Sequence, residues 1–71
     1  MKTYLIKFNG TTIGGEIAPN KVAAFDQWWK ETFGSRPQYS TLEFKDGVCQ
    51  TTDRIEIYPI GLGIISIIEP K

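Results

Sequence analysis

The sequence predicts an α+β fold in which one helix packs across a small mixed β-sheet, in the order ββαβββ. Three observations support this prediction: an Asn-Gly pair between two β-prone runs, a stretch with helical periodicity, and short alternating or apolar runs after it. The chain has 71 residues, which is the length of one domain, residues 1–71. A chain this short buries only about 60% of the surface that its unfolded form exposes, so most apolar side chains are needed for the core.

A β-hairpin is predicted at the start of the chain. Asn9-Gly10 follows the β-prone run 3–8, and this pair favours a two-residue turn because both turn positions need a positive φ angle. Continuous pairing from this turn gives an apolar face of Tyr4, Ile6, Phe8, Ile13 and Ile17, and an opposite face with Thr3, Leu5, Lys7, Thr12 and Glu16. Gly14-Gly15 weakens the second strand and is typical of a bulge or of a close approach by another backbone.

Residues 21–33 are predicted to form a helix. Asn20 is suited to the N-cap, and Gly34 is suited to the position after the last turn. At 100° per residue, one apolar stripe contains Val22, Phe25, Trp29 and Phe33. We expect this stripe to cover the sheet, with Trp29 as its core anchor. Trp28 is expected on the shoulder of the stripe, either as a half-buried rim residue or as part of an exposed aromatic patch.

Short strands are predicted in the second half of the chain. A strand at 41–44 turns at Asp46-Gly47 and returns at 48–50, and an alternating run occupies 54–58. Pro59 and Gly61-Leu62-Gly63 are interpreted as a break. The run 64–68 is apolar on both faces, so we expect this last strand in the centre of the sheet.

Local signals along the chain are shared with a known family. They are Met1 opening into a strand, Gly10 at the first turn, Thr12-Ile13 on the return strand, Glu16-Ile17-Ala18-Pro19 before the helix, Pro37-Gln38 before Leu42-Glu43-Phe44, and the turn at Asp46-Gly47. In these features and in its element order the chain resembles ubiquitin-like β-grasp domains over nearly its whole length. Ubiquitin-type modifiers end in a flexible Gly-Gly tail, whereas this chain ends Ile67-Ile68-Glu69-Pro70-Lys71. The resemblance therefore implies a compact binding scaffold rather than conjugation or sulfur-carrier chemistry.

The composition argues against several kinds of enzyme. The chain has no histidine and one cysteine, Cys49, which excludes His-based acid–base catalysis, Ser/His and Cys/His pairs and Cys/His zinc sites. Acidic residues are scattered along the sequence, and no glycine-rich phosphate loop is present. We expect Cys49 to be an inward-facing small hydrophobe. The sequence therefore predicts a protein that is not an enzyme and has no cofactor or metal.

Charge and hydropathy limit the partners. Lys and Arg total 8 and Asp and Glu total 8, so no net field attracts nucleic acid or anionic lipid. The longest apolar stretch, residues 60–68, is far shorter than the ~20 residues of a membrane span. With a single cysteine, a reducing compartment is the simpler expectation. We predict a cytoplasmic protein with no membrane partner, for which nucleic acid is an unlikely ligand.

The leading functional prediction is a non-catalytic protein-binding domain, comparable to small phage or mobile-element inhibitors of host enzymes or defence complexes. The alternative is a ubiquitin-like accessory subunit or adaptor of a multi-component enzyme, and the third hypothesis is a weak nucleic-acid-binding module. Aromatic and Arg side chains dominate protein-binding hot spots, so Trp28, Arg36 and Tyr39 are the predicted partner-binding residues. An exposed sheet edge also allows pairing with a second copy of the chain as a homodimer.

Overall fold

The computed structural model describes residues 1–35 and 41–70. Their elements are β1 (Lys2–Phe8), β2 (Thr11–Ala18), α1 (Lys21–Phe33), β3 (Leu42–Lys45), β4 (Val48–Thr51), β5 (Ile55–Ile57), β6 (Gly61–Gly63) and β7 (Ile65–Ile68). The predicted α+β class, the first hairpin and the helix are confirmed. The segment 61–63, interpreted from sequence as a break, is instead the short strand β6.

Seven described strands form two sheets. The larger sheet has the order β2-β1-β7-β4-β3, and α1 packs across it, mainly against β2. The smaller sheet is the hairpin β5-β6. The predicted central place of the last strand is confirmed, since β7 is the third of five strands. The sheet was expected to be mixed, but every pairing among the described strands is antiparallel. The reason is that β7 starts beside Asn9, at the far end of β1, and runs back along it.

The core lies between the larger sheet and the helix. Its buried hydrophobic members are Tyr4, Ile6, Phe8, Ala18, Ala24, Phe25, Trp28, Cys49, Ile57, Ile65 and Ile67. Thr51 is buried as well, and its Oγ1 accepts a hydrogen bond from the backbone N–H of Ile65 at 3.1 Å. Its hydroxyl therefore has a partner, as a buried polar group needs. Cys49 is 1% exposed, which confirms the inward orientation predicted for it.

A β-bulge changes the register of the first hairpin. Near the turn the pairing is as predicted, but Ile6 pairs with Gly14 instead of Ile13, so Ile13 is the extra residue of the bulge. A shift of one residue in the pairing moves every later side chain of β2 to the opposite face of the sheet. Glu16 therefore lies on the helix side of the sheet, and Ile17 lies on the opposite side with 63% of its surface exposed. The sequence-based prediction for these two residues was wrong for this reason.

The helix has the predicted ends. The Oδ1 atom of Asn20 accepts a hydrogen bond from the backbone N–H of Ala23 at 2.9 Å, which is the N-cap contact. Gly34 has a φ angle of 77°, and its N–H donates to the carbonyl of Lys30 at 2.8 Å. The positive φ angle is why glycine suits this position.

The phase of the helix differs from the prediction by about one residue. The buried side chains are Ala24, Phe25 and Trp28, whereas Trp29 is only half-buried. Val22, placed on the core stripe from sequence, is 58% exposed. The helix packs mainly against β2, and there Gly14 leaves room for the indole of Trp28. The exposed or half-exposed position predicted for Trp28 is therefore wrong, and so is the role of Trp29 as the main core anchor.

Candidate functional site

The three residues predicted to bind a partner do not form a described surface. Trp28 is 6% exposed and belongs to the core, because it packs against β2 at Gly14. Its accessibility, on which the prediction depended, is contradicted. Arg36 and Tyr39 lie outside the described residues. The structure therefore directs attention to other exposed apolar side chains.

The most exposed aromatic side chain of the described residues lies in the loop between β5 and β6. Tyr58 is 94% exposed, Ile60 55% and Leu62 54%, and Pro59 is exposed as well. We call these four residues the apolar tip. The Tyr58-Pro59 peptide bond is cis. Three of these residues lie in the loop, Leu62 lies on β6, and all four face solvent on one short hairpin. Exposed apolar patches of this kind mark interaction sites.

The base of this hairpin is anchored in the core. Ile57 is 9% exposed and belongs to the core cluster, and Ile55 packs against it. Opposite them on β6 stand glycines: Ile55 pairs with Gly63, and Ile57 pairs with Gly61. The inner face of the hairpin thus supplies only two large side chains, both directed into the core. Its loop and outer face carry the apolar tip.

Asn9 connects the first turn to the second hairpin. Its φ angle of 49° confirms the left-handed conformation predicted for the turn. Its Oδ1 accepts from the N–H of Ile64 at 3.1 Å, and its Nδ2 donates to the carbonyl of Leu62 at 3.4 Å. A Cβ atom on Gly63 would overlap the Asn9 amide, so the close approach depends on glycine there. These contacts fix the end of β6, and with it the position of the apolar tip.

The apolar tip is electrically neutral. No charged residue occurs between Glu56 and Glu69 in the sequence. Glu56 is exposed on β5 and stands opposite Leu62, at the side of the tip. A surface of this kind is suited to an apolar pocket bordered by polar groups, because the buried centre of a protein interface is depleted in charge.

A second group of aromatic side chains lies along α1. The ring centroids of Trp29 and Phe33 are 4.5 Å apart, and those of Phe25 and Trp29 are 5.7 Å apart. Phe33 is 41% exposed and Trp29 is half-buried. Each ring thus already packs against another, and neither is as exposed as Tyr58, at 94%.

Two acidic side chains, scattered in the sequence, meet in the fold. The carboxyl groups of Glu16 on β2 and Glu31 on α1 are close enough to interact, and the Oε1 atom of Glu16 is buried without a hydrogen-bond partner. Burial raises the pKa of Glu16 above its ordinary value of 4.5, and hydrogen bonding to Glu31 and the negative charge of Glu31 raise it further. The pair shows how the bulge turns a surface carboxylate toward the helix.

The other described polar features do not assemble into a reactive site. A depression of about 470 Å³ is lined by Lys21, Gly47, Ile68, Glu69 and Pro70. Its two charged groups already have partners: Lys21 donates to the carbonyl of Gly47 at 2.9 Å, and Glu69 forms an ion pair with Lys2 at 3.2 Å. Burial raises the pKa of the Cys49 thiol, which disfavours the reactive thiolate.

Across 1–35 and 41–70 there is no group of three or more His, Cys, Asp or Glu side chains that could hold a metal ion. None of the helical segments in that part of the chain has the length and apolar character needed to cross a membrane.

Comparison with known proteins adds no identification. No protein-family model, curated protein or solved structure matches this chain. The resemblance to ubiquitin-like domains therefore stays a prediction, and any functional conclusion depends on the surface described above.

The sequence contained a signal for the apolar tip that we interpreted only as a break. Turns are usually built from Gly, Pro, Asn, Asp and Ser. The loop after β5 has Tyr58 and Ile60 on either side of Pro59, where polar residues are usual. An apolar turn between two short strands indicates exposed hydrophobic surface, and this signal could have pointed to the site.

Proposed function

We propose that this protein is a non-catalytic protein-binding domain that inserts its apolar tip into an apolar pocket on a larger protein. The observation that carries the proposal is the exposure of Tyr58 (94%), Ile60 (55%) and Leu62 (54%) on one short hairpin. Tyrosine is among the residues that dominate binding hot spots, and its ring adds contact area with few rotatable bonds.

The way the hairpin is held supports the same proposal. Ile57 anchors one strand in the core, and Asn9 binds the end of the other. A loop fixed in this way loses little conformational entropy on binding, and the small entropy cost favours high affinity. The tip therefore has both the composition and the support of a presented binding element.

The test is capture of a partner by tagged protein in three forms. The wild type is compared with a tip variant carrying Tyr58→Ser, Ile60→Ser and Leu62→Ser, and with the control Ile17→Ser/Val22→Ser, which removes exposed apolar side chains elsewhere. We expect the tip variant to lose the partner and the control to retain it, with melting curves showing that both remain folded. A folded tip variant that captures the same partner with unchanged affinity would contradict the proposal.

A lipid surface is the rival ligand for an apolar loop. We disfavour it because Arg54 is the one basic residue between Lys45 and Lys71 in the sequence, and Glu56 stands opposite Leu62, so the hairpin itself carries no basic group that would attract anionic lipid. Sedimentation with phosphatidylcholine vesicles, with and without phosphatidylserine, tests whether the tip binds lipid. Vesicle binding that depends on Tyr58 and Ile60 would show that the ligand of the tip is a membrane surface and not a protein.

Within this proposal the protein acts by occupying a surface of its partner, as an inhibitor of the predicted phage or mobile-element type would. An adaptor or accessory subunit would bind without reducing the partner's activity. The two are distinguished by adding the purified domain to the captured enzyme, since only an inhibitor lowers its rate. A cytoplasmic setting fits the proposal, because the chain has a single cysteine, Cys49, and uses no internal disulfide.

A further inference from the structure

The two edges of the larger sheet are unequal. At the β2 edge the side chain of Gln27, from the helix, donates from Nε2 to the carbonyl of Ile17 at 3.1 Å, and the bulge at Ile13 interrupts the strand. Side-chain contacts and bulges of this kind hinder pairing with another strand. The opposite edge is β3, where Glu43, Phe44 and Lys45 are all exposed.

The turn after β3 determines which backbone groups face outward. Asp46 and Gly47 have φ angles of 52° and 77°, as in a two-residue hairpin turn. Lys45 and Val48, which flank such a turn, form a hydrogen-bonded pair. Because pairs alternate along an antiparallel ladder, Phe44 is a non-hydrogen-bonded partner of Cys49, and its N–H and C=O point to the outer edge.

The side chains of β3 are complementary to those of a second β3 strand that runs antiparallel to it. When two β3 strands pair antiparallel about a two-fold axis at Phe44, each Phe44 stands opposite the other, and each Glu43 stands opposite the partner's Lys45. Aromatic pairs and pairs of opposite charge are both stabilising across strands. The two Phe44 residues also exchange the backbone hydrogen bonds that face outward.

We propose that β3 is a homodimerisation edge, and that two copies of this chain join their sheets through antiparallel β3 strands centred on Phe44. Phe44 is 68% exposed, and Lys21 lies over its ring with Nζ 4.8 Å from the centroid, which holds the ring in place on the helix side. On the other side of the sheet, Glu43 accepts from Gln50 through Oε1 at 3.2 Å, which orients this carboxylate beside the edge.

The alternative register is less favourable. Centring the axis on Glu43 would place the two Glu43 carboxylates directly opposite each other, and like charges in that position are destabilising. The surface is distinct from the apolar tip on β5-β6, so dimer formation and partner capture can be measured separately.

The experiment reverses the two charges, first singly and then in combination. Glu43→Lys puts Lys opposite Lys45 of the partner subunit, and Lys45→Glu puts Glu opposite the partner's Glu43. We expect each variant alone to shift in sedimentation velocity from twice the chain mass of 8.0 kDa to that mass itself. An equimolar mixture of the two should regain the dimer, because every pair is then of opposite charge.

The proposed register involves charges on β3 only, so a charge reversal on another strand serves as the control. Glu56→Lys makes the same change of charge on β5 and should leave the dimer intact. High salt should weaken the wild-type dimer, since its ion pairs are exposed. The proposal is overturned if the wild type stays monomeric at millimolar concentration, or if Lys45→Glu remains dimeric. Failure of the mixture to regain the dimer from two folded variants would also overturn it.

Discussion

Gly14 of β2 lies against the indole of Trp28: a methyl group at this glycine would be 2.7 Å from Nε1 and 2.8 Å from Cδ1 of that ring. The close approach exists because glycine has no side chain, and it occurs on β2, the strand against which the helix mainly packs. It explains why Trp28, and not its neighbour Trp29, is buried. It also makes the two residues interdependent.

We therefore expect Gly14→Ala to destabilise the protein by about 1–3 kcal/mol, the usual range for overpacking a well-filled core. The matched control is Gly15→Ala, because a methyl group there would meet its nearest atom, the carbonyl oxygen of Tyr4, at an ordinary 3.6 Å. Urea unfolding followed by tryptophan fluorescence measures both. Equal stability of the two variants would show that the ring does not depend on Gly14.

The two tryptophans should differ strongly on truncation. Trp28→Ala removes a side chain that is 6% exposed, and we expect a loss of about 3–5 kcal/mol, which approaches the whole stability of a small domain. Trp29→Ala should cost less, because Trp29 is only half-buried at the edge of the core. Thermal melts of both variants show which substitution destabilises the protein more. Where Trp28→Ala does not fold, Trp28→Phe gives a milder comparison with Trp29→Phe.

The features that sequence predicted correctly are those set by local backbone preferences. Asn9-Gly10 and Asp46-Gly47 adopt the positive φ angles that their turns require. Asn20 caps the helix, and Gly34 ends it. In each case the residue type itself favours the conformation, so no knowledge of the rest of the fold was needed.

The features that sequence predicted wrongly are decided by contacts between distant elements. The bulge at Ile13 exchanges the faces of Glu16 and Ile17, and periodicity alone could not locate it, although the adjacent glycines indicated some irregularity. Likewise, adjacent tryptophans fit a helical stripe almost equally well, and the space at Gly14 selects Trp28. The candidate site was missed for a related reason, since the anchoring of β5-β6 depends on Asn9, about fifty residues earlier in the chain.

Substitutions at Asn9 should loosen the second hairpin without disturbing the first turn. Asn9→Gly keeps a residue suited to the φ angle of 49° but loses both side-chain hydrogen bonds, and at about 0.5–1.5 kcal/mol each we expect a loss of roughly 1–3 kcal/mol. Asn9→Asp keeps the oxygen that accepts from Ile64 and should cost less. Hydrogen exchange should show faster exchange in Asn9→Gly at the amide of Ile64, which loses its acceptor, and at the amide of Ile57 on β5. Unchanged protection there would contradict the anchoring role.

The carboxyl pair between β2 and α1 predicts how stability depends on pH. Burial and Glu31 raise the pKa of Glu16 above 4.5, so the folded protein holds this proton more tightly than the unfolded chain does. Between 4.5 and the raised pKa the native state binds more protons, and the free energy of unfolding therefore falls as pH rises through that window. Above the window the native state carries the full penalty of a desolvated carboxylate beside another acid.

Glu16→Gln should remove this penalty, since an uncharged amide has no proton to lose. We expect the variant to be at least as stable as the wild type at neutral pH, and its advantage over the wild type to shrink as pH falls from the raised pKa toward 4.5. Glu31→Gln should act in the same direction by removing the neighbouring charge. Urea midpoints between acid and neutral pH measure the difference, and Glu56→Gln, an exposed carboxylate on β5, controls for the loss of one negative charge. A Glu16→Gln protein that is less stable than the wild type at neutral pH would show that the Glu16 carboxylate stabilises the fold, and the proposed penalty would be wrong.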